Sequence, residues 1–139
     1  MHYFDASALV KRYVREKWSA KVQRLLAAEV AATSRLSAVE IASAVARRVR
    51  EGDLSGEDRE RILAAVDRDM TAVLVVEITA AVLASAQLLL QRHPLRTGDA
   101  IQLASCLQLR EHSEDDVTFV GFDDRLLAAA RAKRLETST

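Results

Sequence analysis

The sequence predicts an α/β fold of three layers, with helices on both faces of a central, mostly parallel sheet of four or five strands, in one domain over residues 1–139. Short apolar segments alternate along the chain with longer Ala-, Leu- and Arg-rich segments of helical periodicity. The longer segments can serve as crossovers, and strands joined by crossovers pair in parallel. A parallel sheet is covered on both faces, which gives the three layers.

The first half of the chain alternates between strand and helix. Tyr3 and Phe4 begin the first predicted strand, and residues 5–15 predict a helix because their large apolar side chains share one face. A second helix is predicted from the apolar residues at positions 18, 22, 25 and 26. The second strand is predicted at residues 30–33, and two helices follow at 37–50 and 56–69. Residues 52–55 end the first of these helices and cap the second.

The second half continues the same alternation. A third strand is predicted at residues 73–76 and a helix at 79–91, and another helix begins at 97 or 99 and ends near 111. A fourth strand is predicted at 117–120, and a last helix at about 123–134. The pattern leaves open whether a short edge strand follows at the end.

Composition limits the classes of function. With 20 basic and 20 acidic residues, the chain lacks the broad positive field of a non-specific nucleic-acid binder, so contact with a polyanion needs local geometry or bound cations. A single cysteine, Cys106, excludes an internal disulfide and is expected to be a buried thiol. The first residues do not resemble a signal peptide, and residues 70–90 fit a strand and a helix better than a membrane span, so we expect a soluble, cytoplasmic protein.

Acidic residues follow the predicted strands at the edge where ligands bind in such sheets. Asp5 follows the first strand, Glu40 lies one turn into the helix after the second, and Asp123 and Asp124 follow the fourth. Asp99 begins a helix of its own, and it joins the others only if that helix starts at the same edge.

Helix capping is the alternative explanation for these acids. Asp is a favoured N-cap, and residues 37–40 read as a capping box with Glu40 at its third helical position. Capping does not explain why Asp5, Glu40 and Asp99 each open an apolar, Ala-rich helix that must pack on the sheet. Carboxylates gathered there would repel one another without a cation, and oxygen ligands without nearby His or Cys suit Mg²⁺ or Mn²⁺.

Four segments of the chain resemble, in order, the four motifs of the PIN-domain ribonucleases, in particular the VapC toxins of bacterial toxin–antitoxin pairs. They are residues 5–13, 37–44, 95–104 and 119–126, and the resemblance spans residues 3 to about 134. It implies an endoribonuclease that depends on Mg²⁺ or Mn²⁺, is blocked by a cognate VapB-type antitoxin and forms a homodimer.

The resemblance also assigns candidate site residues. Asp5, Glu40, Asp99 and Asp123 take the acidic positions, and Ser7 takes the hydroxyl position of the first motif. Our hypothesis is that Asp5 and Asp99 hold the main ion, that Glu40 orients or deprotonates the water, and that Asp123 completes the site. Whether one ion or two bind is open.

Three further residues are candidates for supporting roles. Arg96 and Arg125 flank the acidic motifs and could hold the RNA strand, although solvated helix-end charges are an equal interpretation. Asp124, beside the fourth acid, is expected to be a solvent-facing residue of the first helical turn. The sequence leaves transfer, ribosomal and messenger RNA open as substrates.

Other classes of protein share part of this pattern. Phosphatases of the haloacid type also place Asp at the end of the first strand, but they need a D-x-D pair, and Ser7 occupies the third place here. The alternative from a different class is a catalytically silent PIN-like module for binding or assembly.

Overall fold

The computed structural model describes residues 1–139 as five strands and seven helices. In chain order the elements are β1 (His2–Phe4), α1 (Ala6–Tyr13), α2 (Ser19–Ala28), β2 (Ala31–Ser34), α3 (Leu36–Arg50), α4 (Gly56–Asp69), β3 (Leu74–Val76), α5 (Ala80–Arg92), α6 (Thr97–His112), β4 (Thr118–Val120), α7 (Asp124–Ala132) and β5 (Glu136–Ser138).

The five strands form one sheet in the order β3-β2-β1-β4-β5, and every neighbouring pair is parallel. The predicted α/β fold is therefore confirmed. The strand left open by the sequence exists, since β5 pairs with β4 through the register Val120↔Ser138. Because β1 lies in the middle, the carboxyl ends of its neighbours β2 and β4 flank the residue that follows it, Asp5.

Two apolar clusters cover the two faces of the sheet. The alternation of side chains along β1 sends Tyr3 into the cluster with α5, α6 and α7, and Phe4 into the cluster with α1, α2, α3 and α4. Cys106 is buried in the first of these clusters, as expected, and burial raises the pKa of its thiol to about 12. The middle layer is thus packed on both sides.

The helix starts agree only in part with the sequence. Asp5 and Asp123 do cap α1 and α7, since their carboxylates accept the backbone N–H groups of Ala8 and Leu126. The predicted capping box at residues 37–40 is wrong: α3 begins at Leu36 after Arg35, without a side-chain cap. The hydroxyl of Ser37 is buried and bonded elsewhere, so it is not free to cap the helix.

Two other expectations concern the start of α6 and the apolar segment at residues 70–90. Asp99 is the third residue of α6 rather than its cap, which is Arg96. The segment over residues 70–90 is a strand followed by a helix, β3 and α5, as predicted. None of the seven helices combines the length and apolarity that a membrane-spanning segment requires.

The backbone at Gly121, which joins β4 to the acid-bearing turn, leaves no room for a side chain. A Cβ there would lie 2.9 Å from Cε1 of the buried Phe119 and 3.1 Å from Oδ2 of Asp5. We expect Gly121→Ala to lower the free energy of unfolding by about 1–3 kcal/mol, because neither neighbour can move freely. Chemical denaturation measures this change.

Gly56→Ala is the matched control for that substitution. A Cβ at Gly56 would meet nothing closer than the Arg59 guanidinium at 3.8 Å, so the substitution should leave stability unchanged or raise it by about 0.4–1 kcal/mol. Equal stabilities of the Gly121→Ala and Gly56→Ala proteins would contradict the close packing at Gly121.

Candidate active site

The four acids singled out in the sequence line one cavity of about 520 Å³ at the carboxyl edge of the sheet. Asp5 and Asp123 reach it from the ends of β1 and β4, Glu40 from α3 and Asp99 from α6. The helix that carries Asp99 does start at this edge, since a Cβ on its neighbour Gly98 would lie 3.0 Å from Oε2 of Glu40. The missing side chain of Gly98 therefore lets α6 approach α3 closely.

Asp5 lies deepest in the cavity, with only 3% of its surface exposed. Its Oδ1 accepts hydrogen bonds from the Ala8 backbone N–H and from the Ser7 hydroxyl, both at 2.8 Å. Burial, with a smaller contribution from the nearby charges of Asp99 and Glu40, outweighs the lowering effect of these two hydrogen bonds and raises the pKa of Asp5 to about 7. The Asp5 carboxyl is therefore partly protonated close to neutral pH.

The other acids also influence one another. Partial burial raises the pKa of Glu40, and the charge of Asp99 adds to that rise. Burial likewise raises the pKa of Asp99, followed by the charge of Asp123, while Arg96 lowers it. The repulsion expected from the sequence is thus present, since each of these carboxyls is harder to ionise beside its neighbours.

Gln102 is a site residue that the sequence reasoning missed. Its Nε2 donates to Oε1 of Glu40 at 2.9 Å and to the hydroxyl of Ser37 at 3.0 Å, while its Oε1 accepts from the Tyr3 hydroxyl at 2.7 Å. Both Gln102 and Tyr3 are buried, so these bonds fix the amide and hold the Glu40 carboxylate in one orientation. The available signal was an amide side chain among the apolar residues that directly follow Asp99 in α6.

A basic wall that the sequence analysis did not identify faces the acids. Lys11, Arg47 and Arg48 line the same cavity, together with Arg96. Lys11 donates to Oε1 of Glu16 at 2.9 Å, and Arg48 pairs with the other oxygen of Glu16. Arg47 and Arg48 follow Glu40 by seven and eight residues on α3, a spacing that places them on the same face of the helix as Glu40. This spacing was the signal for them in the sequence.

The remaining supporting candidates lie around the rim. Ser7 bonds to Asp5 as described, and Arg96 lines both the acidic cavity and an adjoining one of about 470 Å³. Asp124 and Arg125 are exposed at the start of α7 and line only the adjoining cavity, beside Asp99 and Asp123. Asp124 and Arg125 therefore lie outside the cavity in which the four acids meet.

The carboxylate oxygens of the cavity suit a hard divalent cation that takes two protein ligands. No three His, Cys, Asp or Glu side chains are arranged so that they could hold one metal ion together. Mg²⁺ commonly binds through one or two carboxylates and keeps several waters, so a pair of these acids meets its requirement. The mutual rise of the pKa values is what such a cation would relieve.

Comparison with known proteins identifies the family. The PIN domain family model matches residues 2–132. Ribonuclease VapC45 of Mycobacterium tuberculosis is 36% identical over 135 residues, which are 94% of this chain and 89% of that protein. The chain therefore belongs to the PIN-domain family, and within that family to the VapC ribonucleases.

Solved structures share the fold. VapC20 of Mycobacterium tuberculosis, described as a toxin that cleaves the sarcin–ricin loop, superposes with a TM-score of 0.69 at 22% identity, over 93% of this chain and 95% of its own. A toxin–antitoxin complex from Klebsiella pneumoniae has a TM-score of 0.69 at 16% identity, over 100% and 97%. At these identities the likeness concerns the fold alone.

The raised pKa of Asp5 makes a prediction about stability and pH. A carboxyl whose pKa is higher in the folded protein stabilises the fold most below its ordinary value, and that contribution is lost as pH rises through about 7. Asn keeps the acceptor oxygen without the charge. In metal-free protein we therefore expect Asp5→Asn to gain about 2–3 kcal/mol of unfolding free energy relative to the unsubstituted protein between pH 5 and pH 8.

Denaturation with a chelator present, at both pH values, measures this difference. Asp67→Asn removes an exposed acid that is in no ion pair, and its stability should run parallel to that of the unsubstituted protein. A difference between Asp5→Asn and the unsubstituted protein that stays constant with pH would contradict the burial of a carboxyl that resists ionisation.

Proposed function

We propose that this protein is a Mg²⁺- or Mn²⁺-dependent endoribonuclease that hydrolyses RNA phosphodiester bonds, and that it is the toxin of a VapBC-type toxin–antitoxin pair. The observation that carries the proposal is the meeting of four carboxylates from four separate elements in one cavity, where burial and the neighbouring charges raise the pKa values of Asp5, Glu40 and Asp99. The relative named Ribonuclease VapC45 supports the reaction, and the structural neighbour described as an RNA-loop-cleaving toxin is compatible with it. RNA as substrate implies work in the cytoplasm.

In this proposal Asp5 and Asp99 provide the carboxylates for the cation, and Asp123 completes the site beside Asp99 through a water molecule rather than as a third direct ligand. A bound divalent ion supplies a Lewis acid for the phosphoryl oxygen and lowers the pKa of a bound water. Ser7 keeps the Asp5 carboxylate oriented through its 2.8 Å hydrogen bond.

Glu40 is the proposed general base. Its raised pKa lies closer to neutral than that of an ordinary glutamate, which suits a group that takes a proton from water as the water oxygen bonds to phosphorus. Gln102 holds its carboxylate in one orientation through the 2.9 Å bond from Nε2. The P–O bond to the leaving strand then breaks, the leaving oxygen takes a proton from solvent, and Glu40 returns its own proton to solvent.

The basic side chains on the cavity wall have a separate task. Arg96, exposed at the start of α6, and the Lys11–Arg48 pair held by Glu16 face the acids and can bind the backbone phosphates of an RNA strand. Arg125 can do the same from the adjoining cavity. Local cations of this kind account for RNA binding by a chain of zero net charge.

The proposed partners are a VapB-type antitoxin and a second copy of the chain. Structural neighbours that are toxin–antitoxin complexes support the first, among them the Klebsiella pneumoniae complex and a VapBC2 complex from Rickettsia felis. Apolar side chains left exposed along β3 and α5 offer a surface for the second. They are Leu74, Ile78, Leu83, Leu88 and Leu90.

Cleavage of total RNA by the purified protein tests the function. We expect cuts with Mg²⁺ or Mn²⁺ and none with excess chelator. We also expect Asp5→Asn and Asp99→Asn to lower the rate at least about 100-fold, because each removes a carboxylate that holds the cation which neutralises the phosphate. Cleavage is read on a gel, and the cut ends are sequenced.

Asp67→Asn is the matched control, since it removes an exposed acid on α4 away from the cavity and should cut like the unsubstituted protein. The protein is first freed of any bound antitoxin by denaturation and refolding. Metal-dependent cutting that survives in both acidic variants would contradict the assignment of the site. Absence of cutting by the refolded protein, with RNA binding intact, would favour the silent binding module instead.

A further inference from the structure

Trp18, the only tryptophan of the chain, is held in an unusual position. It precedes α2 with φ of 73°, the left-handed region that bulky side chains rarely adopt, and 46% of its surface is exposed. Strained residues of this kind persist where the surroundings fix them, and they concentrate at functional sites. Neither burial in the core nor a helical position accounts for Trp18.

The surroundings that fix Trp18 lead to the acidic cavity. Its ring stacks on that of Phe122, with centroids 6.2 Å apart and planes inclined by 14°. Phe122 is the residue before Asp123, and it lines the adjoining cavity together with Asp99 and Asp123. The ammonium of Lys11, from the wall of the acidic cavity, lies 5.0 Å from the Phe122 ring centroid. The aromatic pair thus borders the proposed cleavage site.

The other side of the aromatic pair is basic. A groove of about 390 Å³ beside Trp18 is lined by Arg15, Lys21 and Arg24, with Glu16 as its acid. Glu16 also lines the acidic cavity, so the groove and the cavity adjoin. Residues 11–24 carry six basic side chains and one acidic side chain, although the whole chain has no net charge.

Cations also lie over the indole itself. The ammonium groups of Lys17 and Lys21 are 5.0 and 6.0 Å from the Trp18 ring, and neither is in an ion pair. Stacking aromatics combined with cations that follow a backbone are the features with which proteins bind unpaired bases of single-stranded nucleic acid. A groove lined by three basic residues suits a phosphate backbone better than it suits an apolar segment of a protein.

We propose that the Trp18–Phe122 pair is a binding site for an unpaired RNA base, and that Arg15, Lys21 and Arg24 hold the phosphates next to it. This inference rests on the proposed function and deepens it: the substrate is single-stranded RNA that runs along the groove, over the aromatic pair and into the acidic cavity. A base stacked on Trp18 sets which phosphate lies beside Asp5 and Asp99.

The test uses the full chain with Asp99→Asn, which is expected to bind RNA while cutting it at least about 100-fold more slowly. Two probes are compared: a single-stranded RNA 12-mer of mixed sequence and the same 12-mer in a perfect duplex. The single strand should quench the fluorescence of Trp18, and the duplex should quench it much less. In the same background, Trp18→Ala should weaken binding of a labelled single strand by about 5- to 100-fold, and Trp18→Phe, which keeps a stacking ring, should restore most of the affinity.

Charge variants test the groove. Lys21→Gln should weaken binding and reduce its dependence on salt, whereas Arg61→Gln, an exposed cation on α4 paired with Asp58, should do neither. In protein that retains Asp99, Trp18→Ala should raise KM for the single strand by more than it lowers kcat, because stacking positions the RNA and takes no part in the bond change.

The outcomes separate this inference from the proposed function. Metal-dependent cutting with Kd and KM unchanged by Trp18→Ala overturns the base site and leaves the nuclease intact. Loss of RNA binding in Trp18→Ala without any cutting by the unsubstituted protein supports the base site and overturns the nuclease. A changed oligomeric state in Trp18→Ala, with RNA binding unchanged, overturns the base site and assigns the aromatic pair to an interface between copies.

Discussion

Asp5 directly follows the central strand of the sheet, and its carboxylate is buried where the charges of Asp99 and Glu40 also act on it. Without hydrogen bonds, a carboxyl buried to this extent stays protonated near neutral pH. Two hydrogen bonds, from Ala8 and Ser7, favour its ionised form and so work against the burial. The site is therefore balanced close to neutral pH, and a small change in local charge decides the state of Asp5.

The sheet order explains how the acids come together. With β1 in the middle, β2 and β4 deliver the start of α3 and the turn before α7 to either side of Asp5. Asp99 follows no strand, and it arrives because α6 packs along α5 and because Gly98 lets α6 approach Glu40. The buried bonds of Gln102 to Tyr3, Ser37 and Glu40 then tie α6 to β1 and α3. Contacts between elements that are distant in sequence therefore set the distances between the acids, and local sequence contributes little to them.

Local patterns predicted most of the fold, because each strand and helix has its own periodicity and boundary residues. The four acids could be chosen from the sequence, since they follow strands or match the motifs of the PIN-domain ribonucleases. Features that depend on distant contacts escaped. The capping box at residues 37–40 was wrong because Thr33 and Gln102 occupy the Ser37 hydroxyl. Gln102 itself was missed because its partners Tyr3, Ser37 and Glu40 lie 99, 65 and 62 residues away along the chain. Trp18 was assigned to a helix because a left-handed backbone leaves no trace in the hydrophobic pattern.

We infer that a divalent cation relieves the repulsion among these acids and keeps Asp5 ionised. Titration calorimetry of Mg²⁺ binding at pH 6.5, in two buffers of different ionisation enthalpy, counts the protons released as the ion binds. Because the pKa of Asp5 is about 7, we expect release of most of one proton at pH 6.5, almost none at pH 8.5, and much weaker binding by Asp5→Asn. Binding without proton release at pH 6.5, or equal binding by Asp5→Asn, would contradict it.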